Sequence, residues 1–305
     1  MSPLFAALLF QAGYNAALVT LGAMALGAAA GVAGTFLYLR RRALVSDALA
    51  HATLPGIGLA FLSMVALGGD GRWLPGLLVG SALTAGLGLL GVEWLVRRTR
   101  LAEDAAIGAV LSVFFGIGIV LLTVIQGLGA GQAAGLETFL LGSAAGMLRS
   151  EALLIALAGC ASVALVVAFH RPMTLVAFDP NFAGANGVGV ARTDRLIMAL
   201  VAVVTVIGLK IVGLVLIVAL LIVPPVAARF WTNRIGVLLW LAGLFGAAAG
   251  YVGAALSAAA PDLPTGPVIV LVLALIFAVS LLLAPERGAL AIAWSRARAA
   301  RGNAR

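Results

Sequence analysis

The chain has one cysteine, one lysine and very few charges of either sign. Cys160 alone can build neither a disulfide framework nor a thiolate metal site, and its place inside an apolar run reads as buried packing. Lys210 is the sole lysine, and no segment matches G-x-x-x-x-G-K-[ST], so the chain forms no Walker A phosphate cradle and reads as non-catalytic. Charged residues make up only 10% of the 305 positions, where soluble domains carry about a quarter. Hydrophobic residues fill 63% and the mean hydropathy is +1.18, so the solvent this chain needs is lipid. In hydrocarbon every backbone polar group must be paired within the protein, and the long Ala, Leu, Val and Gly runs select helices over a closed barrel of short alternating strands.

A bilayer crossing takes roughly 20 apolar residues. Apolar runs predict spans at 15–39, 43–68, 74–96, 105–125, 151–169, 195–209, 211–230, 235–259 and 267–284, an all-α bundle of nine crossings in a single transmembrane domain over 1–305. The stretch from Arg195 to Arg229 is too long for one helix and is split at Lys210 and Gly213 into a tight hairpin; without that split there are eight. With it, sixteen of the nineteen basic residues fall on one side, from Arg40–Arg42 to the tail at 286–305. That bias puts the tail in the cytoplasm and the start of the chain outside. The net charge of +8 is therefore a topology signal. Its short clusters form no basic stripe with interleaved aromatics, so no nucleic-acid partner is expected. Residues 1–14 lack a basic n-region and read as an interfacial segment rather than a signal peptide.

Two connections are more than turns. Residues 126–150, apolar but interrupted by glycine, suggest a short external half-helix. Residues 170–194 are the longest polar interval and should lie in the cytoplasm, as a docking candidate or an ordinary inter-helix loop, with Asp179-Pro180 a candidate helix start inside it. At the membrane ends, Glu93 stands one turn before Arg97 and pairs with it, and His170 is an interfacial residue.

The most informative segment is SDALAHATLPG, 46–56. It places Asp47 and His51 inside a membrane span, where a central carboxylate costs about 3 kcal/mol, so such a residue faces a bundle interior or a wet path. Spacing of i and i+4 sets both on one helical face, where carboxylate and imidazole can converge on one ion. That mixed set suits Zn, Mn or Fe better than Mg or Ca. The same residues could instead be structural, Asp47 orienting the helix start and His51 satisfying a carbonyl. Pro55 and Gly56 either kink the helix for packing or loosen it beside a path.

Six segments stand in an order that resembles a known family: LRRRALVSDALAHATLPGIGLAF at 39–61, EDAAIGAVLSVFFGIGIVLL at 103–122, LETFLLGSAAG at 136–146, FDPNFAGANGVGV at 178–190, LKIVGLVLIVALLIVPPVAAR at 209–229 and DLPTGPVIVL at 262–271. They resemble the ABC-3 permeases, the membrane subunits of bacterial zinc, manganese and iron ABC importers. The resemblance implies a type II importer permease fold, a multi-pass place in the bacterial inner membrane, and a transported divalent metal rather than a resident cofactor. It implies metal ligation by Asp47 and His51. It further implies that 178–190, with Phe178, Asp179, Pro180, Phe182, Ala183 and Gly187, docks a cytoplasmic ABC ATPase, and that an extracytoplasmic metal-binding protein delivers the ion. Ser46 and Ala50 depart from the usual glycine and serine, and the Ser-Asp start with LPGIGLAF stands nearer the manganese and iron branch than the zinc branch.

One Asp and one His give two or three donor atoms, whereas Zn takes four and Mn commonly six. A second permease chain, identical or different, would supply the rest. The competing class is a secondary metal transporter or channel using Asp47 and His51 as a proton relay, which predicts inverted repeats; none is apparent.

Overall fold

A computed structural model describes residues 3–11, 13–71, 73–127, 147–260, 263–285, 287–292 and 294. In chain order the helices are α1 Pro3–Leu8, α2 Tyr14–Leu39, α3 Ala43–Ala66, α4 Leu74–Arg98, α5 Glu103–Gly127, α6 Arg149–Phe178, α7 Pro180–Ala185, α8 Val190–Trp231, α9 Ile235–Ala259 and α10 Thr265–Leu283, with no strand among the described residues. Eight segments are long and apolar enough to cross a bilayer: α2 to α6, the Val212–Trp231 part of α8, α9 and α10. The half-helix expected within 126–150 falls largely outside the described residues, as does most of the basic tail.

The split expected at Lys210 and Gly213 is present. Gly213 adopts φ 77° and ψ 174°, which interrupts the helical run in a region that costs glycine no strain. A Cβ on Gly208 would collide with Ile217, nine residues on, although a straight helix would separate the two by about 13 Å. The chain therefore folds back sharply. The first half of α8 carries Arg192, Asp194 and Arg195 in its first turns, which keeps it outside the eight apolar segments. It nevertheless runs from a layer of ion pairs around Asp194 to Leu209, which is buried with Ile57, Phe61, Leu77 and Ile125 toward the other ends of α3, α4 and α5. Eight segments qualify as crossings by apolarity, and the first half of α8, which begins on charge, does not.

Two expectations need correction. Residues 170–194 are not one loop: α6 continues through Pro172 to Phe178, because Met173 and Val176 prolong its buried face while His170 and Arg171 sit off it. Only Asp179 and residues 186–189 are non-helical there. Cys160 is exposed on this chain rather than buried.

The tightest packing joins α2 to α9. A Cβ on Gly27 would collide with the carbonyl of Gly246, one on Gly31 with that of Ala242, and one on Gly250 with that of Ala23. Small residues on successive turns let two backbones touch, which is how helices associate where lipid removes the hydrophobic drive. At the start of the chain α1 packs on α9, with the Tyr251 hydroxyl donating to the Leu8 carbonyl and its ring edge-on to Phe10 at 5.8 Å.

Candidate functional site

Helix α3 carries the Asp-His pair about one and two turns after its start. Its neighbours on the inward side, Val45, Ser46, Ala48, Leu49, Ala50 and Ala52, are buried. That burial fixes the helix rotation and leaves Asp47 and His51 on the remaining face. Ser46 turns its hydroxyl back to the Ala43 carbonyl at 2.6 Å, so it adds no free donor to the face. His51 Nε2 lies 3.4 Å from Asp47 Oδ1, with the side chains 24% and 42% exposed respectively. The imidazole meets Phe115 of α5 edge-on, ring centroids 5.0 Å apart. Its other nitrogen, Nδ1, is buried with no hydrogen-bond partner.

Pro55 lies inside α3 without ending it, and it has no N–H for the carbonyl four residues back, which is that of His51 itself. Gly56 serves a crossing, since a Cβ there would collide with Gly80 and Thr84 of α4. Among the described residues no third His, Cys, Asp or Glu joins Asp47 and His51 in a metal-sized cluster. One chain offers a carboxylate and an imidazole on a half-open face.

Between α6 and α8 the chain forms a compact projection. Asp179 caps α7, its carboxylate accepting the Phe182 N–H at 2.9 Å, and Pro180 fills the first turn. Asn186 closes the other end, its Nδ2 donating to the Phe182 carbonyl at 2.9 Å, and Gly187 turns the chain out at φ 77°. Ala183 is fully buried, whereas Phe178 and Phe182 are 61% and 55% exposed. Phe178 at the end of α6 and Phe182 on the short, capped α7 thus leave two largely exposed aromatic rings on the projection.

A further polar cluster went unread in the sequence, where its arginines counted only toward topology. Arg40 Nη1 donates to the Val176 carbonyl at 2.8 Å, and its Nη2 lies 2.9 Å from Asp194 Oδ1 without hydrogen-bond alignment at that oxygen. Arg42 pairs with the other Asp194 oxygen at 2.8 Å and with Glu103 at 2.6 Å. Val176 is 136 positions from Arg40 and Asp194 is 152 from Arg42, and no local spacing rule links any of these partners. The Glu93–Arg97 pair, by contrast, was legible at i and i+4 and closes at 2.6 Å.

Long apolar helices carrying an ionisable pair, with most of their charges gathered at one end, define a multi-pass membrane protein. The family model described as the ABC 3 transport family matches residues 14–284, and the chain belongs to that family. It is 41% identical over 274 residues to the manganese transport system membrane protein MntC of Bacillus subtilis (strain 168), covering 90% of this chain and 62% of that protein; it thus spans under two thirds of that relative's length. It is 42% identical over 280 residues to the zinc transport system membrane protein TroC of Treponema pallidum (strain Nichols), covering 92% of each. Among solved structures, a chain of PsaBC from Streptococcus pneumoniae in complex with Fab superposes with a TM-score of 0.76 at 29% identity, over 88% of this chain and 91% of that one. An inward-facing metal-chelate type ABC transporter shares the fold at 19% identity with a TM-score of 0.66.

Proposed function

We propose that this chain is the membrane-spanning permease subunit of an ATP-driven importer of a divalent transition metal in a bacterial inner membrane, and that Asp47 and His51 are its ligands to the ion. The carrying observation is the carboxylate and imidazole 3.4 Å apart on one face of a membrane helix. Both are good donors to Mn, Zn or Fe, and a second permease chain completes the coordination. Relatives named for manganese and for zinc support this cargo class without choosing within it. A separate cytoplasmic ATPase supplies the energy and docks on 178–190, where Phe178 and Phe182 give apolar contact, Asp179, Pro180 and Gly187 shape the segment, and Ala183 anchors it. An extracytoplasmic binding protein delivers the metal.

The test is uptake of radioactive manganese and zinc by cells carrying the permease with its ATPase and binding protein. Asp47→Ala and His51→Ala should each abolish uptake while the chain still inserts. Unchanged uptake in both sinks the ligand assignment. Uptake that survives loss of the ATPase and follows the proton gradient instead favours the relay reading.

A further inference from the structure

The ion-pair cluster brackets the projection between α6 and α8. Val176 lies three residues before the Asp179 cap and Asp194 lies in the first turns of α8 just after the projection. One side chain, Arg40, holds both flanks, by its contact to the Val176 carbonyl and its ion contact to Asp194. Asp194 is at the same time held by Arg42, the residue immediately before α3. Five residues, about 7.5 Å of helical rise, then lead to Asp47. Arg42 also grips Glu103 in the first turn of α5, the helix whose Phe115 touches His51. A displacement of the projection therefore reaches both helices beside the Asp-His pair through one carboxylate.

The cluster is also incompletely satisfied. Arg40 Nε and Asp194 Oδ1 are buried without hydrogen-bond partners, although guanidinium offers five donors and a carboxylate about four acceptor positions. A cavity of about 130 Å³ lies beside it, lined by Arg42, Glu103 and Asp194 and also by Glu93 and Arg97. Glu93 and Arg97, paired with each other at 2.6 Å, line the same cavity and present opposite charges to any group released from the cluster. Coupling between distant sites needs a physical element with two discrete states that both sites bias.

We infer that Asp194 is the keystone of a latch, built with Arg40, Arg42 and Glu103, that transmits movement of the ATPase docking segment to the helices around Asp47 and His51. Asp194 is a positioning residue and touches no metal. The inference rests on the function proposed above, and its test keeps the two apart. Wild-type permease with its ATPase and binding protein is reconstituted in proteoliposomes, and manganese or zinc uptake is measured per ATP hydrolysed. Metal binding to the purified permease and co-purification of the ATPase are measured beside it.

Asp194→Asn removes the charge both arginines share, and uptake per ATP should fall on the order of tenfold with metal affinity and ATPase association unchanged. Asp194→Glu should recover part of the loss. Arg98→Gln, an exposed charge at the same end of the bundle but outside the cluster, should change nothing. An unchanged ratio in Asp194→Asn overturns the latch, as does a fall matched by lost metal binding. Should Asp194→Asn fail to insert, Glu103→Gln removes one arm alone: a smaller fall supports the latch and an unchanged ratio overturns it. Wild-type complex that moves no metal overturns the underlying function instead.

Discussion

His51 turns one ring nitrogen toward Asp47, Nε2 to Oδ1 at 3.4 Å, and buries the other with no hydrogen-bond partner. An unmet buried polar nitrogen costs about 1–3 kcal/mol, so the imidazole is held by the edge contact to Phe115 and by helix geometry rather than by a hydrogen bond behind it. His51→Leu keeps the bulk and removes the unmet atom. The metal-free permease should then unfold at the same temperature or higher, by an amount equivalent to about 1 kcal/mol, while metal binding is lost. Thermal unfolding in detergent and equilibrium metal binding read the two effects separately, and a large stability loss would make His51 a structural residue.

Mixing wild-type chains with His51→Ala chains tests whether two permeases share one site. With two chains completing one coordination shell, as proposed, each hybrid pair lacks one imidazole and uptake should fall more steeply than the wild-type fraction. A straight-line fall would mean that each chain runs its own pathway.

At the proposed docking segment, the exposed rings and the cap separate by effect. Phe178→Ala with Phe182→Ala should weaken ATPase co-purification with little effect on permease stability, because both rings are largely exposed. Asp179→Ala removes the acceptor for the Phe182 N–H and should destabilise α7 locally by about 1 kcal/mol. Hydrogen exchange over 179–188 should report faster opening in that variant alone.

The crossing of α2 and α9 predicts a contrast between glycines. Gly27→Ala drives a methyl into a backbone carbonyl and should cost about 1–3 kcal/mol. At Gly86 of α4 nothing lies within 4 Å of the added methyl, and Gly86→Ala should gain up to about 1 kcal/mol from helix propensity. Thermal unfolding of the two variants in one detergent checks the sign of each.

The helices were readable because membrane spans announce themselves by length and apolarity, and Asp47 with His51 because an ionisable pair at i and i+4 stands out in such a run. The hairpin was readable at Gly213, where a lysine and a glycine interrupt a stretch too long for one crossing. Pattern failed where burial overrides polarity: Pro172 and the polar residues about it suggested a loop, yet Met173 and Val176 carry α6 onward. It failed again at Cys160, since an apolar neighbourhood in a membrane protein does not distinguish core from lipid. The Arg40–Asp194 contact was out of reach, since it joins positions that only the folded bundle brings together.

The half-open Asp47 side chain has a consequence for the life of the protein before it transports anything. A carboxylate facing acyl chains costs about 2.5–3.5 kcal/mol, and Asp47 remains 42% exposed on a single chain. On the proposed function a second permease chain covers that face, and until it does the newly inserted subunit carries this burden alone. Its lifetime is therefore tied to the supply of its partner, and chains made in excess should be cleared by membrane proteases while assembled ones persist.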